Sequence, residues 1–333
     1  MPARPPTSHD VARLAGVSQP TVSRALRGDP GVSEQTRRAV RAAADELGYI
    51  LSARGRSLST RTTGQIGIVV SDLGNPFYLQ VLDTVHEALA RVDRRMLVLT
   101  PDGDDAALPA RLLDGSLDGA ILTTTVLAST VPAQLARRSF PFVLLNRTVD
   151  DAPGDSCTVD NVAGGRLAAQ ALVDLGHTEI AALLGPETTS TGRDRARGVR
   201  AVLDEAGIAL PAARVRTGPF DFAYGHAGAR ELLETRPTAI FCANDVIALG
   251  AYNALRGAGV RIPADVTLVG FDDIAIAAWE VFELTTVRQD IERMVQTAAD
   301  LVMERIDSPS RPPRHVVLEP TLVERATHAP PTT

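Results

Sequence analysis

The feature that most constrains this chain lies beyond Gly64, where short apolar segments alternate with stretches long enough for amphipathic helices. The apolar segments read IGIVV, MLVLT, GAIL, FVLLN, IAALLG, AIFCAN and VTLVGFD. All-apolar strands separated by helices are typical of parallel sheets that helices cover on both faces. The roughly 270 residues of this region are too many for one small sheet. The pattern therefore predicts a large α/β body.

The first 62 residues differ from this body in charge. They contain ten Arg and five acidic residues, a net charge of +5, so the rest of the chain carries −11 because the total is −6. A basic head on an acidic body indicates an anionic partner for the head alone, and we favour nucleic acid. A solvated basic tail is the alternative that charge by itself leaves open.

The head has the pattern of three short helices. Ser8 is predicted to cap the first, which Gly16 ends, and Ser18 to cap the second. The third is predicted between Ser33 and Gly48. The spacing of the first two helices predicts a helix-turn-helix. The apolar residues expected to face inward are Val11, Ala12, Leu14, Ala15, Val22, Ala25, Leu26, Val40, Ala43, Ala44 and Leu47.

The second helix has a polar outer face of the kind that enters the major groove of DNA. Its members are Gln19, Thr21, Ser23, Arg24 and Arg27. Arg can bind guanine edges with two hydrogen bonds, and Gln can bind adenine in the same way. A generic helical hairpin would explain the apolar pattern but would leave this face and the charge of the head unexplained.

The sequence lacks the residues that many enzyme mechanisms need. All 34 basic residues are Arg, which excludes a Walker lysine, a Schiff-base lysine and a lysine general base. No His-x-x-x-His pair or Gly-x-Ser-x-Gly elbow occurs, and Cys157 and Cys242 lack metal-ligand spacing. We therefore expect no enzyme activity, no cofactor and no metal.

No segment approaches the roughly 18 to 20 apolar residues that cross a bilayer. The N-terminal MPARPPTSHD has no apolar core of a secretion signal. We therefore expect a cytoplasmic protein without a membrane partner.

The head sequence HDVARLAGVSQPTVSRALRGDPGVSEQTRRAVRAAADELGY resembles bacterial transcription regulators of the lactose repressor and galactose repressor family. The resemblance continues through RSLSTRTTGQIGIVVSDLGNPFY to TTVRQD near the C-terminus. It implies a DNA-binding domain over 1–50, a hinge over 51–63 and an effector-binding and dimerisation domain over 64–333. The positions it assigns to base reading are Gln19, Pro20 and Arg24. Those it assigns to phosphate binding are Ser18, Thr21, Ser23 and Thr36.

The segment LSARGRSL matches the hinge helix of this family, in which a leucine from each subunit enters the minor groove and kinks the operator. The resemblance places Leu58 in that role and Arg54 among the DNA-binding residues. Gly55 stands where the family has a small helix-forming residue, which disfavours the hinge helix in the absence of DNA. A plain flexible linker is the alternative.

For the body, the resemblance implies a fold like that of periplasmic binding proteins, with two doubly wound parallel-sheet subdomains and a ligand cleft between them. The N-subdomain is expected over 64–158 and 290–318, and the C-subdomain over 159–289 and 319–327. Ligands of open α/β sheets bind beyond the carboxyl ends of strands. The polar pairs that follow four of the predicted strands are Ser71-Asp72, Asn146-Arg147, Asn244-Asp245 and Asp272-Asp273.

The ligand-binding residues that the resemblance implies combine amides, a carboxylate, an arginine and aromatic rings. Such a set suits a polyhydroxylated ligand, and we predict a sugar effector. Phe77 and Phe220 have an alternative role in the core, and Asn161 and Asp245 an alternative role as helix caps. The predicted ligand-binding residues are Phe77, Asn146, Thr191, Arg195, Phe220, Asn244, Asp272 and Gln289.

The chain is thus predicted to be a transcriptional regulator, and more specifically a repressor. It is expected to bind a pseudo-palindromic operator as a homodimer and to respond to a small molecule. A solute-binding protein would share the body but would need no basic head. An α/β enzyme would need catalytic residues that we do not find.

Overall fold

The structure is a computed structural model that describes residues 4, 6–26, 28–49, 62–101 and 107–332. The chain divides into two units, Met1–Thr63 and Gly64–Thr333, which we call the head and the body. Arg27 and the predicted hinge residues Arg54 and Leu58 lie outside the described residues. The described part of the head forms helices α1 (Ser8–Ala15), α2 (Gln19–Leu26) and α3 (Glu34–Leu47).

The turn between α1 and α2 depends on Gly16. Its φ is 66°, in the left-handed region where other residues are strained. The next residue, Val17, donates its N–H to the carbonyl of Ala12 at 3.0 Å, which closes the end of α1. Val22 and Val40 lie in the core that the three helices share. The predicted helix-turn-helix is therefore present.

Two details of α1 differ from the prediction. Thr7 and not Ser8 is the N-cap, because the N–H and the hydroxyl of Thr7 both donate to the Asp10 carboxylate, at 2.9 and 2.7 Å. These hydrogen bonds lower the pKa of Asp10. Leu14 was expected to face inward but is 45% exposed. It lies at the edge of the apolar arc, whose centre is occupied by Val11 and Ala12.

The body contains two six-stranded sheets. In the first, all neighbouring strands are parallel and their order is β11-β5-β4-β3-β1-β2. Its strands are β1 (Gln65–Val69), β2 (Arg95–Leu99), β3 (Gly119–Leu122), β4 (Phe142–Leu145), β5 (Asp155–Val159) and β11 (His315–Leu318). The helices of this subdomain are α4 (Pro76–Ala90), α5 (Leu108–Leu112), α6 (Val131–Arg137) and α11 (Ile291–Asp307).

The second sheet has the order β12-β10-β9-β8-β6-β7 and is parallel except for the pair β10 and β12. Its strands are β6 (Ile180–Leu184), β7 (Val215–Thr217), β8 (Ala239–Cys242), β9 (Thr267–Asp272), β10 (Thr285–Arg288) and β12 (Thr321–Val323). Its helices are α7 (Asn161–Asp174), α8 (Ser190–Glu205), α9 (Phe222–Leu232) and α10 (Asp245–Gly257). The predicted body of two doubly wound sheets is confirmed.

The described chain passes between the two sheets three times, after β5, after β10 and after β11. Two of these crossings end at a helix N-cap. Asp160 accepts a hydrogen bond from Ala163 N–H at the start of α7, and Asp290 accepts one from Arg293 N–H at the start of α11, both at 2.9 Å. Capping fixes where each helix begins, so the crossings are short and well defined.

Helices α7 and α8 approach each other closely because glycines face each other across the contact. A Cβ on Gly165 would lie 2.3 Å from the carbonyl oxygen of Arg195, and one on Gly198 would lie 2.1 Å from that of Val162. Neither position has room for a side chain. This contact fixes the backbone of α8 at Arg195.

A buried carboxylate joins α11 to the start of β5. Asp155 is inaccessible to solvent and accepts hydrogen bonds from Arg305 at 2.9 and 3.0 Å and from Arg311 at 2.8 Å. The N–H of Arg314 donates to it as well, at 2.8 Å. Burial alone would raise the pKa of Asp155, but these partners outweigh burial and hold the pKa below its usual value.

His177 attaches the C-terminal segment to the second subdomain. Its ring nitrogens lie 2.9 Å from the hydroxyl of Thr238 and 2.9 Å from the carbonyl of Ala329. The ring is buried, and burial lowers its pKa below 6.5. Because the folded state disfavours the proton, stability from this residue is present above the unfolded pKa of about 6.5 and is lost as the pH falls below it.

We expect His177→Ala to lower the free energy of unfolding by about 1 to 3 kcal/mol at pH 8, because the two partly buried partners of the ring lose their hydrogen bonds. The loss relative to wild type should shrink near pH 5. Urea unfolding of both proteins at the two pH values measures this difference. His9→Ala is the control, because His9 is exposed. If His177→Ala lowers the free energy of unfolding equally at both pH values, the assignment of a neutral His177 ring is contradicted.

Candidate functional site

The outer face of α2 is a polar surface on the head. Ser18, Pro20 and Arg24 are exposed, while Thr21 and Ser23 are half-buried. The hydroxyl of Ser18 lies 2.8 Å from that of Thr21, so these two side chains are held together at the start of the helix. The surface offers hydroxyl groups beside an exposed guanidinium, which is what phosphate binding and base reading require.

Two of the predicted DNA-binding residues also have structural partners. The amide of Gln19 donates to the hydroxyl of Ser8 at 3.3 Å, and Thr36 lies 2.9 Å from Ser33, the N-cap of α3. Both side chains are half-buried. The predicted DNA-binding residues of the described head therefore lie on or near α2 and at the start of α3.

A small cavity lies between the two sheets of the body, beyond the carboxyl ends of β4, β8 and β9. The space inside it that is open to the centre of a water-sized sphere is about 20 Å³. Seven of the eight predicted ligand-binding residues line it, and the eighth, Gln289, stands behind Asp272. Its lining residues are Asn75, Phe77, Tyr78, Asn146, Arg147, Thr191, Arg195, Phe220, Asn244 and Asp272.

Arg195 on α8 is the most constrained side chain of the cavity. It is 3% exposed, and its Nε donates to Asn161 at 2.8 Å and its Nη1 to the Ala243 carbonyl at 2.7 Å. Its Nη2 lies 3.1 Å from Asp272 Oδ1. The guanidinium also stacks 3.7 Å from the ring centroid of Phe271. Of the five N–H groups of arginine, these contacts use three, which leaves two for a ligand.

Asp272 forms the acidic half of this buried pair. Its Oδ1 accepts a hydrogen bond from Gln289 Nε2 at 2.7 Å in addition to the contact with Arg195. Burial lowers the pKa of Arg195 and raises that of Asp272, and each charge opposes the shift of the other. The pair stays ionised because the unperturbed pKa values of the two groups lie so far apart.

The backbone is strained where the cavity is lined. Asp272 has a φ of 116° and Asn146 a φ of 67°. Such conformations cost about 1 to 3 kcal/mol each and persist where the surrounding structure imposes them. Asn146 directly follows β4 and Asp272 is the last residue of β9, so both strained residues lie at the carboxyl end of a strand that faces the cavity.

Three buried polar atoms at this site lack a hydrogen-bond partner among the described residues. They are Asn146 Oδ1, Arg147 Nε and Gln289 Oε1. Buried polar atoms are paired in most proteins, and an unpaired one in a binding cavity indicates a missing ligand or water. Asn146 and Arg147 line the cavity itself, so their free groups are available to a ligand there.

Aromatic rings form the apolar part of the wall. Phe77 packs edge-on against Tyr78, with ring centroids 5.3 Å apart. The guanidinium of Arg147 lies 5.3 Å from the ring centroid of Phe220. Burial raises the pKa of Tyr78, so its hydroxyl stays protonated at neutral pH. Phe77 and Phe220 thus line the cavity, and Phe77 belongs to the core as well.

Asp245 had an alternative role as a helix cap, but Asn244 and not Asp245 is the N-cap of α10. Asn244 caps α10 by accepting from Ile247 N–H at 2.9 Å, and its amide nitrogen remains for a ligand. Asp245 does not line the cavity. It accepts from the hydroxyl of Thr286 at 2.5 Å and from Ile274 N–H at 2.9 Å. It therefore holds the turn that follows Asp272.

Sequence analysis missed several residues of this site. Asn75 and Tyr78 were not predicted, although they flank Phe77 in the same NPFY segment. Asn161 was considered only as a cap, but its Oδ1 positions Arg195. A contact between α7 and α8 has no signal in the sequence of either helix alone.

Metal binding and membrane insertion find no support in the described residues. They contain no group of three or more His, Cys, Asp or Glu side chains that could hold a metal ion. No helix among them is long and apolar enough to span a membrane.

A helix-turn-helix unit followed by a two-sheet body with a polar cleft defines a ligand-responsive DNA-binding regulator. Two family models match the chain. Residues 7–52 match the bacterial regulatory proteins of the lacI family, and residues 169–328 match a periplasmic binding protein-like domain.

Comparison with individual proteins gives the same result over nearly the whole chain. The ribose operon repressor of Haemophilus influenzae is 35% identical over 96% of this chain and 97% of its own length. The lac repressor dimer bound to operator and the anti-inducer ONPF matches with a TM-score of 0.86 and 29% identity, over 98% of this chain and all of that one. A lacI-family regulator from Enterococcus faecium with bound ribose matches with a TM-score of 0.71 and 29% identity, over 80% of this chain and all of that one. The chain belongs to the lacI family of bacterial regulatory proteins.

This assignment decides between the classes of protein considered above. The relatives are transcriptional regulators and not enzymes, as predicted. The prediction of a transcriptional regulator is confirmed over that of a solute-binding protein, because residues 7–52 match regulatory proteins and the regulators compared above cover the head as well as the body.

Proposed function

We propose that this chain is a cytoplasmic, homodimeric repressor whose affinity for its operator is set by a sugar bound between the two subdomains. The observation that supports this most is the cavity in which the ion pair of Arg195 and Asp272 lies beside the unpaired Oδ1 of Asn146. Donors, acceptors and aromatic rings in one buried space match the hydroxyl groups and C–H faces of a sugar.

The many polar groups around this small cavity favour a monosaccharide. The cavity has about 20 Å³ open to a water-sized sphere, whereas sites for drug-sized ligands measure roughly 300 to 1,000 Å³, so the cleft must open further to admit a sugar. Ribose is named for the Haemophilus relative and is bound in the Enterococcus structure, so it is the first sugar to test. The proposed ligand-binding residues are Phe77, Asn146, Thr191, Arg195, Phe220, Asn244, Asp272 and Gln289, the last through Asp272.

The proposed DNA contacts lie in the head and the hinge. Gln19, Pro20 and Arg24 read base edges in the major groove. Ser18, Thr21, Ser23 and Thr36 bind phosphates, and Arg54 and Leu58 act at the minor groove from the hinge segment 51–63. The similarity to the lac repressor dimer bound to operator supports operator binding by this chain.

Exposed apolar side chains support the proposed homodimer. On the first subdomain they lie on α4, in the turn after it and on the edge strand β2, and on the second they lie at the start of α9 and near Trp279. An apolar edge strand left open invites pairing or coverage by another chain. The side chains are Leu79, Val92, Leu97, Val98, Phe222, Trp279 and Val281. Sedimentation of a monomer at micromolar concentration with operator present would overturn the dimer.

The proposed coupling is mechanical. Closure of the cleft rotates one subdomain against the other and changes the distance between the two hinges, which changes how well both heads fit one operator. Such couplings are typically about 1 to 3 kcal/mol, or about 5- to 150-fold in operator affinity. A sugar that favours separated hinges is an inducer, and one that favours the DNA-competent state is a corepressor.

The decisive experiment is selection from a random-sequence DNA library, followed by binding of the recovered duplex over a series of salt concentrations with and without ribose and other monosaccharides. Specific binding should fall steeply with salt and survive competitor DNA. Failure to recover any preferred sequence would overturn the proposal. Thermal shift with the same sugars tests the cavity independently of DNA.

Arg24→Ala is expected to reduce the affinity for the selected operator by about 5- to 150-fold while leaving binding to random DNA little changed, because a bidentate base contact is worth about 1 to 3 kcal/mol. Gel-shift titrations against both DNAs measure the ratio. Arg13, exposed on α1, provides a control on charge. If sugar-induced thermal shifts are lost together with operator binding, Arg24 has a structural role and does not read bases.

A further inference from the structure

The point at which the chain enters the body is held by a hydrogen bond that a backbone N–H donates to a buried side chain. The N–H of Gly64, the first residue of the body, donates to Asp118 Oδ2 at 2.8 Å. Gly64 directly follows the segment assigned to the hinge and linker, 51–63. Its φ of 70° lies in the left-handed region, so the direction in which the chain leaves the body at this residue is set by a conformation that favours glycine.

The same carboxylate joins the amino ends of three adjacent strands. Asp118 directly precedes β3, and its side chain is 6% exposed. Arg94, directly before β2, donates Nη1 to the same Oδ2 atom at 3.2 Å. The N–H of Asp118 donates to the carbonyl of Gln65 in β1 at 2.8 Å, and the N–H of Arg95 to that of Gly64 at 2.9 Å. A charge-assisted network thus ties Gly64 to the first sheet.

The surrounding loop shows that this contact is specific to Asp118. Asp114, four residues earlier, is exposed, and its described hydrogen bonds are all with Ser116, whose N–H donates to it at 2.8 Å. It has the same charge and lies in the same connection between α5 and β3, but it does not contact Gly64. Asp114 therefore serves as a matched control for Asp118.

We infer that Asp118 is the positioning residue that transmits movement of the first sheet to the linker. The inference rests on the proposed function. A linker that begins at a fixed point confines the head to a smaller volume than a linker that begins at a frayed strand end. Once one head of the dimer has bound its half-site, the other head is therefore present at a higher effective concentration near the second half-site. A fixed starting point is also needed if rotation of the sheet is to change the distance between two hinges.

Two readouts on the full-length protein test this inference. The first is deuterium uptake by the segment 62–66, which needs neither DNA nor sugar. The second is the affinity of the sugar-free protein for the operator recovered by selection. The variants are Asp118→Ala, Asp118→Asn and Arg94→Gln, with Asp114→Asn as the control, and thermal unfolding checks that each variant is folded.

Asp118→Ala should speed uptake in the segment 62–66 and lower operator affinity by about 3- to 30-fold. Asp118→Asn should have a smaller effect, because an amide oxygen can still accept the N–H of Gly64. Asp114→Asn should change neither readout. Operator affinity within about twofold of wild type in Asp118→Ala, or unchanged uptake, would overturn the inference. Failure of the wild type to bind any selected duplex would overturn the proposed function itself. Deuterium uptake, which needs no DNA, separates that outcome from failure of the inference about Asp118.

Discussion

Arg195→Ala is expected to weaken monosaccharide binding by about 30-fold or more and to abolish the effect of the sugar on operator affinity. The guanidinium is buried and bound to Asn161, Ala243 and Asp272. Truncating one partner of a buried, hydrogen-bonded charge pair costs about 2 to 5 kcal/mol, much of it because the other charge is left unpaired. Affinity for operator without sugar should change little, since the head is untouched.

Calorimetric titration of ribose, with thermal shift as a second measurement, checks this expectation. Arg197→Ala is the matched control, because Arg197 lies on the same helix two residues later, is exposed and pairs with Asp194 at the surface. Asp272→Asn tests the other half of the pair and should also impair binding. Normal sugar response in both Arg195→Ala and Asp272→Asn would place the effector site elsewhere.

Asp155→Ala is expected to lower the free energy of unfolding of the body by about 3 to 5 kcal/mol. Removing one member of a buried ion pair has an effect of this size because it leaves the partner charges without compensation. Here two guanidiniums, those of Arg305 and Arg311, would lose the carboxylate that joins them. We expect the variant to fold at low temperature and to unfold at a markedly lower denaturant concentration than wild type.

The pH dependence of this difference follows from the lowered pKa of Asp155. A carboxyl whose folded pKa is depressed contributes stability above its unfolded pKa of about 3.9, and that stability is lost as the pH falls through the folded value. The difference between variant and wild type should therefore be largest near neutral pH and shrink below about pH 4. Asp265→Ala, which breaks the exposed pair with Arg261, is the control and should change stability little. A similar loss from both variants would contradict the role given to burial.

The order of elements in the body was predictable in large part because seven of its strands are continuous apolar segments. All seven apolar segments named in the sequence correspond to strands, β1 to β4, β6, β8 and β9. Strands β5, β7 and β10 to β12 were not among those segments. They are short or contain hydroxyl and charged residues, as in β5 and β10. These strands pair with segments that are distant in the chain. The hydrophobic periodicity of the local sequence does not reveal such pairing.

The cavity was predictable in part for a related reason. Polar residues directly after a buried strand must lie at the edge of a sheet, so Asn146, Asn244 and Asp272 could be placed near a cleft from their positions alone. Arg195 and Phe220 came only from the family resemblance. The position of Gln289 behind Asp272 and the structural role of Asp245 depend on how β8, β9 and β10 pack together.

The sequence by itself determined the modules of this protein, a basic helix-turn-helix head and an acidic α/β body, because charge and hydrophobic period are local properties of the chain. Only the tertiary structure decided which polar groups share a buried space. The pair of Arg195 and Asp272 joins residues 77 positions apart, and the contact of Asp118 with Gly64 spans 54. The packing of helices on sheets decides which residues meet across such distances in the chain. The low dielectric of the interior then makes the interaction between two charged groups strong, although neither segment alone specifies the partner.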